Sequence, residues 1–254
     1  MPKPILLQGA MPSETGLLIE ALADRAEGRL GCWTCFTGAL DGYPAVVVQT
    51  QVGIANAAAS TVLALERFSP AAVLNQGTGG GHDPALHTWD IVLGEGVVDL
   101  DRYRCGYAPV GAGVDPTRWR LSPSEVYDRA GGAFVTADTV RFPGDPALLA
   151  AAESVAGTYE EGRVVRGVIG SGDLWNNQAD RILQCHELWG TSVEEMEGAA
   201  AAQICGHYGV PFLDVRVLSN SALHPGETFD PATGPACQRF ALRVAGAYVA
   251  ALKK

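Results

Sequence analysis

The chain has 254 residues, of which 47% are hydrophobic and 18% are charged. This length is sufficient for one well-buried α/β core, and no shift of composition marks a linker, so we predict a single domain over residues 1–254. The formal net charge of −10 argues against nucleic acid and membranes as partners, because anionic phosphates are bound through clustered Lys and Arg.

The N-terminal segment lacks the pattern of a secretory signal. Its apolar run at 5–7 is too short for a signal sequence, and no run approaches the length of a membrane span. The six cysteines are scattered through a chain that can build its own core, so a disulfide framework is not needed. We therefore expect a cytoplasmic protein.

Cys32 and Cys35 have the spacing of a redox or metal-binding pair. The neighbouring residues Trp33, Thr34 and Phe36 favour a strand rather than the helix start that activates such thiols. In a strand, the two cysteines face opposite sides. We interpret both of them as structural residues.

Hydrophobic periodicity and turn signals predict strands that alternate with helices. In chain order these are a strand at 4–8, a helix at 14–25 capped by Ser13, strands at 31–38 and 44–50 joined by a turn at Asp41-Gly42, a helix at 56–68, and strands at 71–75 and 90–93. Later come a helix at 146–156, a strand at 164–169, a helix at 177–189, a strand at 192–194, a helix at 196–208, a strand at 211–218 and a helix at 235–252. This order predicts an α/β fold, a three-layer αβα arrangement with a mixed, largely parallel central sheet.

Residues 102–130 show no period and are dominated by Gly, Pro and Arg. A segment of this length without elements is typical of a lid or a subunit contact, or it is a plain surface excursion. The sequence leaves these alternatives open.

Residues that can take part in binding or catalysis follow the predicted strands, where ligands of open α/β sheets bind. They lie at 9–14, 77–81, 171–176, 194–198 and 219–220. These segments supply glycines, hydroxyls, carboxylates, a large aromatic ring and an amide. Such a set suits a sugar joined to a planar base.

Each segment alone has a second interpretation. The glycines at 77–81 can cradle a phosphate, but their spacing is neither a P-loop nor a dinucleotide fingerprint. Glu194, Glu195 and Glu197 can mark a solvated helix start; if they are buried, some of them must meet Arg, water or ligand hydroxyls. Trp175 can be a core residue or a platform for a base.

Taken together, the segments resemble one family, the nucleosidases that act on 5'-methylthioadenosine and S-adenosylhomocysteine within the purine nucleoside phosphorylase superfamily. The resemblance extends over most of the chain but does not cover residues 100–135. Its motifs are Gly9-Ala10-Met11-x-x-Glu14, Val52-Gly53-Ile54-x-Asn56-Ala57, Asn75-x-Gly77-Thr78-Gly79-Gly80, Ser171-Gly172-Asp173, Val193-Glu194-Glu195-Met196-Glu197 and Val215-Arg216-x-x-Ser219.

The resemblance implies a nucleoside phosphorylase-like fold and hydrolysis of the N-glycosidic bond of a purine nucleoside. It implies no cofactor and no metal, and a homodimer in which the partner completes the pocket. Glu14 matches the acidic residue that orients and deprotonates the attacking water. The substrate-binding positions that it implies are Thr78 near the sugar and leaving base, Trp175 stacked on the purine, Asn176 at the base edge, Glu195, Met196 and Glu197 around the ribose, Arg216 among the carboxylates, and Phe229 over the ligand.

The implied reaction has clear physical requirements. Breaking the bond leaves an oxocarbenium-like ribose and an electron-rich purine, so water must be placed below C1' and charge on the base must be stabilised. A general base contributes about 10²–10⁴-fold. An ionised Glu197 is expected to stabilise the cationic sugar.

Asn220 departs from the family pattern, in which a catalytic Asp follows Ser219 and protonates N7. An amide donates a hydrogen bond but cannot deliver a proton. Its donor and acceptor suit a 6-oxopurine such as hypoxanthine or guanine. Our hypothesis is that Asn220 takes the catalytic position and favours inosine- or guanosine-like nucleosides.

The residues also bear on three other functions. A phosphorylase needs cations for phosphate, but the loop 9–14 holds no Arg, and Asn75 stands where a second Arg is expected. A non-catalytic nucleoside-binding protein is the alternative raised by Asn220, although it would not need Glu14. A metal enzyme is suggested only by His82, Asp83 and His87 in a surface-type loop without a metal-binding pattern.

Overall fold

The structure is a computed structural model that describes residues 2–122, 124–128, 133–137 and 141–253. The strands are β1 (Ile5–Gly9), β2 (Ala23–Leu30), β3 (Trp33–Leu40), β4 (Tyr43–Gln49), β5 (Ala72–Gly81), β6 (Ile91–Asp99), β7 (Tyr103–Arg104), β8 (Arg120–Leu121), β9 (Ser124–Asp128), β10 (Ala133–Ala137), β11 (Arg141–Pro143), β12 (Val164–Ser171), β13 (Thr191–Glu195) and β14 (Phe212–Asn220). The helices are α1 (Pro12–Glu20), α2 (Ile54–Phe68), α3 (Pro146–Ser154), α4 (Ala179–Trp189), α5 (Gly198–Tyr208) and α6 (Thr233–Leu252), with short 3-10 helices at Pro116–Arg118 and Ala156–Thr158.

Ten strands form one mixed sheet in the order β11-β6-β12-β13-β5-β1-β4-β3-β2, with β14 paired to both β5 and β6. Strand β1 runs parallel to β4 and β5, and β14 runs parallel to β5. The pairs β2–β3, β3–β4, β13–β5 and β14–β6 are antiparallel. The predicted α/β fold with a mixed central sheet is confirmed.

Helices cover both faces of the sheet. Alternate residues of β1 show why, since Ile5 and Leu7 belong to a cluster with residues of α1, α3 and α6, whereas Leu6 packs with residues of α2 and α5. Strand β1 is therefore apolar on both faces, as expected for a central strand buried between two helix layers. The sheet thus lies in the middle of three layers, and the loops at its carboxyl edge remain available for a site.

The first helix differs from its prediction. It ends at Glu20 rather than at residue 25, and Ser13 does not cap it, because Met11 occupies the N-cap position. The chain then enters β2 with Asp24 at a positive φ of 51°. Strand β2 is an edge strand with mostly exposed residues, so the pairing with β3, not a hydrophobic pattern, defines it.

The glycine-rich segment 77–81 is the end of β5, not a phosphate-binding loop. A Cβ atom at Gly79 would lie 2.6 Å from Val193 Cγ2 and 2.8 Å from Glu194 O, so glycine here allows β13 to approach closely. The strands predicted at 71–75 and 90–93 were too short. Both continue through polar and glycine-rich residues, which do not give a strand signal, and end at Gly81 and Asp99.

Residues 102–130 are not without structure, although part of this range lies outside the described residues. Short antiparallel ladders join β7 to β8 and β9 to β10. Between the first two strands the chain is exposed, including the apolar residues Tyr107, Val110 and Val114. No residue of the described range 102–122 lines the main cavity.

Cys32 is exposed and Cys35 is buried in β3, as the strand interpretation predicts. All six cysteines are free thiols. Over the described part of the chain, no helix combines the length and apolar character required to cross a membrane.

Candidate active site

A cavity of about 490 Å³ opens at the carboxyl edge of the sheet. Its walls come from the last residues of β5, β13 and β14 and from the segments that follow β1, β4, β5, β12, β13 and β14. The size is within the range of small-molecule sites. All the residues predicted for the site line this one cavity, namely Glu14, Thr78, Trp175, Asn176, Glu195, Met196, Glu197, Arg216, Asn220 and Phe229.

The carboxylate of Glu14 is anchored at both oxygens. Oε2 accepts hydrogen bonds from the backbone N–H groups of Ala10 (3.1 Å) and Met11 (3.3 Å). Oε1 accepts from the N–H (2.9 Å) and the hydroxyl (3.1 Å) of Thr78. Glu14 reaches Met11 because it stands in the first turn of α1, where a glutamate can turn back to the N-cap backbone. Its position is therefore fixed by β1, α1 and β5 together.

Arg216 is the cationic centre of the site and is fully enclosed, with 1% exposure. Its Nε lies 2.9 Å from Asp214 Oδ1, its Nη2 lies 2.6 Å from Glu195 Oε2, and its Nη1 lies 3.4 Å from Glu197 Oε2. The contact with Glu195 is an ion pair without the angles of a hydrogen bond. The predicted place of Arg216 among the carboxylates agrees with this geometry.

Gly77 permits the approach of Arg216 to Glu14. The two residues Gly77 and Arg216 are partners in the ladder between β5 and β14. A Cβ atom at position 77 would lie 2.7 Å from Arg216 Nη1 and 2.7 Å from Glu14 Oε1. Only a residue without a side chain leaves room for both groups.

The carboxyl groups around Arg216 exceed its single charge. Burial raises the pKa of Glu197 to about 8, and Arg216 counteracts this only in part. Burial likewise raises the pKa of Asp214 to about 7, again with partial compensation by Arg216. The raised pKa of Glu197 favours its protonated form, whereas the sequence predicts an ionised group at this position. The physical reason is the desolvation of a carboxylate that shares one guanidinium with its neighbours.

The comparison with known proteins agrees with this arrangement. A model of the phosphorylase superfamily matches residues 4–252. The chain is 34% identical over 224 residues to a 5'-methylthioadenosine/S-adenosylhomocysteine nucleosidase of Anoxybacillus flavithermus, with 86% of this chain and 85% of that protein covered. The chain belongs to the 5'-methylthioadenosine/S-adenosylhomocysteine nucleosidase family.

Solved structures of such nucleosidases share the fold. The enzyme of Colwellia psychrerythraea in complex with adenine is 26% identical, with a TM-score of 0.77 and coverage of 97% of this chain and 96% of that one. The enzyme of Neisseria meningitidis in complex with methylthio-immucillin-A is 25% identical, with a TM-score of 0.72 and 99% of both chains covered. The protein is thus a nucleosidase that hydrolyses an N-glycosidic bond, and phosphorolysis and a non-catalytic role find no support.

Two carboxylates of the nucleosidase have different surroundings at the start of α5. Glu195 accepts hydrogen bonds from the N–H groups of Glu197 (2.8 Å) and Gly198 (2.9 Å) besides its ion pair, so its oxygens already have protein partners. Glu197 Oε1 accepts one bond from Gly53 N at 3.0 Å. Gly53 has a φ of 101°, which favours glycine. The geometry gives Glu195 a role in holding the helix, and its contact with substrate remains a prediction.

Large apolar side chains stand at the mouth of the nucleosidase cavity. Trp175 is 64% exposed and Phe229 is 49% exposed, and Val52 and Leu174 line the cavity beside them. Trp175 is thus not a core residue, which leaves its face available for stacking. Val52 begins one quoted motif and Leu174 follows another, but neither residue was assigned to the site from the sequence.

Asn220 ends β14 next to Ser219. The hydroxyl of Ser219 lies 3.0 Å from Asn220 Oδ1 and can donate to it. The same hydroxyl lies 3.2 Å from Gly79 O, so its single proton serves one of two acceptors. When it donates to Oδ1, the NH₂ group of Asn220 is left as a donor for an acceptor in the cavity, which Asn220 lines.

His82 and Glu194 are two cavity residues that the sequence did not assign to the site. His82 was considered only as a metal ligand, and Glu194 only as part of an acidic run. The structure pairs them, since His82 Nε2 lies 2.8 Å from Glu194 Oε2. The two residues meet because the segments 80–82 and 192–194 pair in antiparallel fashion. Sequence periodicity does not reveal this pairing, so the sequence carried no signal for the contact.

Among the described residues, one group has ligand atoms close enough for a metal ion, namely His87, His224 and Glu227. It lies outside the residues that line the cavity. His87 Nδ1 is hydrogen-bonded to Glu227 Oε1 at 2.6 Å, and the His87 and His224 rings stack with centroids 4.2 Å apart. These contacts join two loops, and the structure gives the group no part in the cavity.

Proposed function

We propose that this nucleosidase cleaves a purine nucleoside through a water molecule activated by Glu14. The observation that carries the proposal is the shared cavity of Glu14, Glu197 and Asn220, which are far apart along the chain. They lie at or just beyond the ends of three different strands. The sheet itself does not require a carboxylate, a second carboxyl group and an amide at one opening. A sugar placed between Glu14 and Glu197 and a base placed against Asn220 account for all three.

The chemistry follows from these positions. Glu14 takes a proton from water as the oxygen attacks C1', and the electron pair of the C1'–N9 bond passes to the purine. Met196 and Glu197 bind the ribose, with the Glu197 carboxyl group hydrogen-bonded to the sugar hydroxyls. The Thr78 hydroxyl donates to Glu14 at 3.1 Å, which places it beside the water and the sugar in this scheme.

The base is proposed to be a 6-oxopurine. Asn220 can stabilise negative charge at N7 by donating a hydrogen bond, but it cannot protonate that nitrogen. The anion of a 6-oxopurine spreads its charge onto O6, so it depends less on protonation than the anion of adenine. Trp175 supplies the stacking surface, with Asn176 at the base edge and Phe229 closing over the ligand.

Charge favours water over phosphate as the nucleophile. Among the described residues that line the cavity, Arg216 is the single Lys or Arg, and it is ion-paired with Glu195 and Glu197. Glu14 lies beside it. An inorganic phosphate dianion would meet these carboxyl groups without a free cation.

A nucleoside panel assayed with and without phosphate tests the proposal. We expect release of free base and ribose at a rate independent of phosphate, with inosine or guanosine preferred over 5'-methylthioadenosine. A phosphate-dependent rate with a ribose-1-phosphate product would overturn hydrolysis. Strong preference for 5'-methylthioadenosine would overturn the 6-oxopurine assignment, and no release of base from any nucleoside would overturn the enzyme assignment.

We further propose a cytoplasmic homodimer. Six free thiols suit a reducing compartment. The exposed apolar residues Tyr107, Val110 and Val114, in the segment 102–130, supply a surface that a second copy can cover. Light scattering on the purified protein is expected to give twice the chain mass, and a monomer at assay concentration would contradict this.

A further inference from the structure

A hydrogen-bonded network of side chains lies in the wall of the cavity, apart from the Arg216 cluster. His82 is 1% exposed and lies between two partners, Thr191 Oγ1 at 2.9 Å from Nδ1 and Glu194 Oε2 at 2.8 Å from Nε2. Asn176 Nδ2 lies 3.5 Å from the same Glu194 oxygen. A buried histidine with both ring nitrogens engaged is a fixed support rather than a mobile group.

The network fixes the hydrogen-bonding character of Glu194. An imidazole with its proton on Nε2 donates to Glu194 and accepts from the Thr191 hydroxyl, so both contacts are satisfied. The donors from His82 and Asn176 converge on Oε2. Glu194 lines the cavity and retains an oxygen, Oε1, that can accept a hydrogen bond from a ligand.

Strand register places Glu194 opposite Asn220. Gly80 pairs with Glu194 of β13 and also with Asn220 of β14. A strand has one neighbour on each side, so Glu194 and Asn220 flank Gly80 at two strand spacings, roughly 9–10 Å between their Cα atoms. Gly80 contributes no side chain between them, and a flat ring can lie across it.

We propose that Glu194, positioned by His82, accepts a hydrogen bond from N1–H of a 6-oxopurine, while Asn220 donates to the N7 and O6 edge of the same ring across Gly80. This inference rests on the proposed function, because it assigns the base recognition of the same cavity. A carboxylate accepts and cannot donate. Hypoxanthine and guanine carry a proton on N1, whereas adenine presents a lone pair there, which a carboxylate repels. Glu194 is thus a specificity residue and His82 a positioning residue.

Binding of free bases tests the inference without requiring turnover. Calorimetry with hypoxanthine and adenine is run on the wild type, on Glu194→Gln and on Glu187→Gln, a control that changes an exposed glutamate of α4. The wild type is expected to bind hypoxanthine more tightly, and Glu194→Gln to reduce the hypoxanthine-to-adenine affinity ratio by about tenfold to a hundredfold, the effect of a hydrogen bond to a charged group. The control is expected to keep the wild-type ratio.

His82 is tested through Glu194. We expect His82→Leu to lower the same ratio, His82→Gln to restore it by donating from its amide, and His82→Leu combined with Glu194→Gln to lower it no further than Glu194→Gln alone. Thermal unfolding identifies variants that do not fold. The wild type supplies a second measurement, since 1-methylhypoxanthine, which lacks N1–H, is expected to bind at least about tenfold more weakly than hypoxanthine.

The outcomes separate this inference from the proposed function. An unchanged ratio in Glu194→Gln, or equal binding of hypoxanthine and 1-methylhypoxanthine by the wild type, overturns the role of Glu194 even when the wild type releases base from nucleosides. A wild type that binds neither base and releases none overturns both.

Discussion

Glu14 and Arg216 meet above the backbone of Gly77, where Glu14 Oε1 and Arg216 Nη1 would each lie 2.7 Å from an added Cβ atom. Gly77 thereby allows Glu14, the proposed general base, to approach Arg216, which is the only guanidinium in the described wall of the cavity. Both groups are held in place, Glu14 by four protein donors and Arg216 by three carboxyl groups.

Gly77→Ala is expected to displace Glu14 or Arg216 and to lower kcat/KM by about 10²-fold or more, as small errors of placement do. The matched control is Gly16→Ala in α1, where an added Cβ meets nothing within 4 Å. That change is expected to stabilise the protein by about 0.5–1 kcal/mol and to leave activity intact. Steady-state kinetics and thermal unfolding check both variants. Full activity in Gly77→Ala would contradict the close approach.

Glu14→Gln is expected to lower hydrolysis by about 10²–10⁴-fold and to preserve the affinity for free base. The amide also places its NH₂ group against backbone or hydroxyl donors, so a lower Tm is expected. Glu20→Gln, on the exposed end of the same helix, is the control. Single-turnover rates and base binding are the measurements. Unchanged hydrolysis in Glu14→Gln would remove the proposed general base.

Stability is expected to fall as the pH rises from about 5 to 8. Glu197 has a pKa of about 8 in the folded protein and 4.5 as its ordinary value, and Asp214 has about 7 against 3.8. Between these values the folded state holds protons that the unfolded state has lost, so the stabilisation is complete below the lower value and disappears as the pH passes the upper one. Glu197→Gln is expected to flatten the dependence up to pH 8, and Asp214→Asn up to pH 7. The free energy of unfolding is measured by chemical denaturation at a series of pH values. Equal pH dependence in the wild type and in both variants would contradict the raised pKa values.

Asn220→Asp is expected to shift preference from inosine toward 5'-methylthioadenosine. The new carboxyl group can deliver a proton to N7, which adenine needs more than a 6-oxopurine does, and the Ser219 hydroxyl remains beside it. We expect the ratio of kcat/KM values for the two nucleosides to change by at least about tenfold. Initial rates measured under the same conditions provide the ratio. A ratio equal to that of the wild type would show that residue 220 does not discriminate between the bases.

The buried strands were predictable because their apolar runs are strong local signals. The runs at Ile5 and Phe212 belong to central strands with helices on both faces. By contrast, only residues 23–25 of β2 were assigned, and they were predicted as the end of a helix. The mostly exposed sequence Ala23–Leu30 has no strand pattern and depends on β3 for its hydrogen bonds. Pairing between distant segments is not encoded in local periodicity.

The composition of the site was predictable, but its internal contacts were not. The motifs predicted that Glu14, Glu197 and Asn220 lie at one edge of the sheet, because the carboxyl ends of parallel strands meet there, and the three residues line one cavity. The pairing of His82 with Glu194 depends on the register between β5 and β13. The protonation of Glu197 depends on burial, which a sequence does not show residue by residue.

Asp173 gives the two ends of the pocket a common support. Its carboxylate accepts a hydrogen bond from Ile54 N at 2.9 Å, and the adjacent Gly53 N donates to Glu197 at 3.0 Å. Trp175 lies two residues beyond Asp173. The segment that carries Trp175 and the segment that contacts Glu197 are therefore joined by one carboxylate, and replacing Asp173 is expected to loosen both.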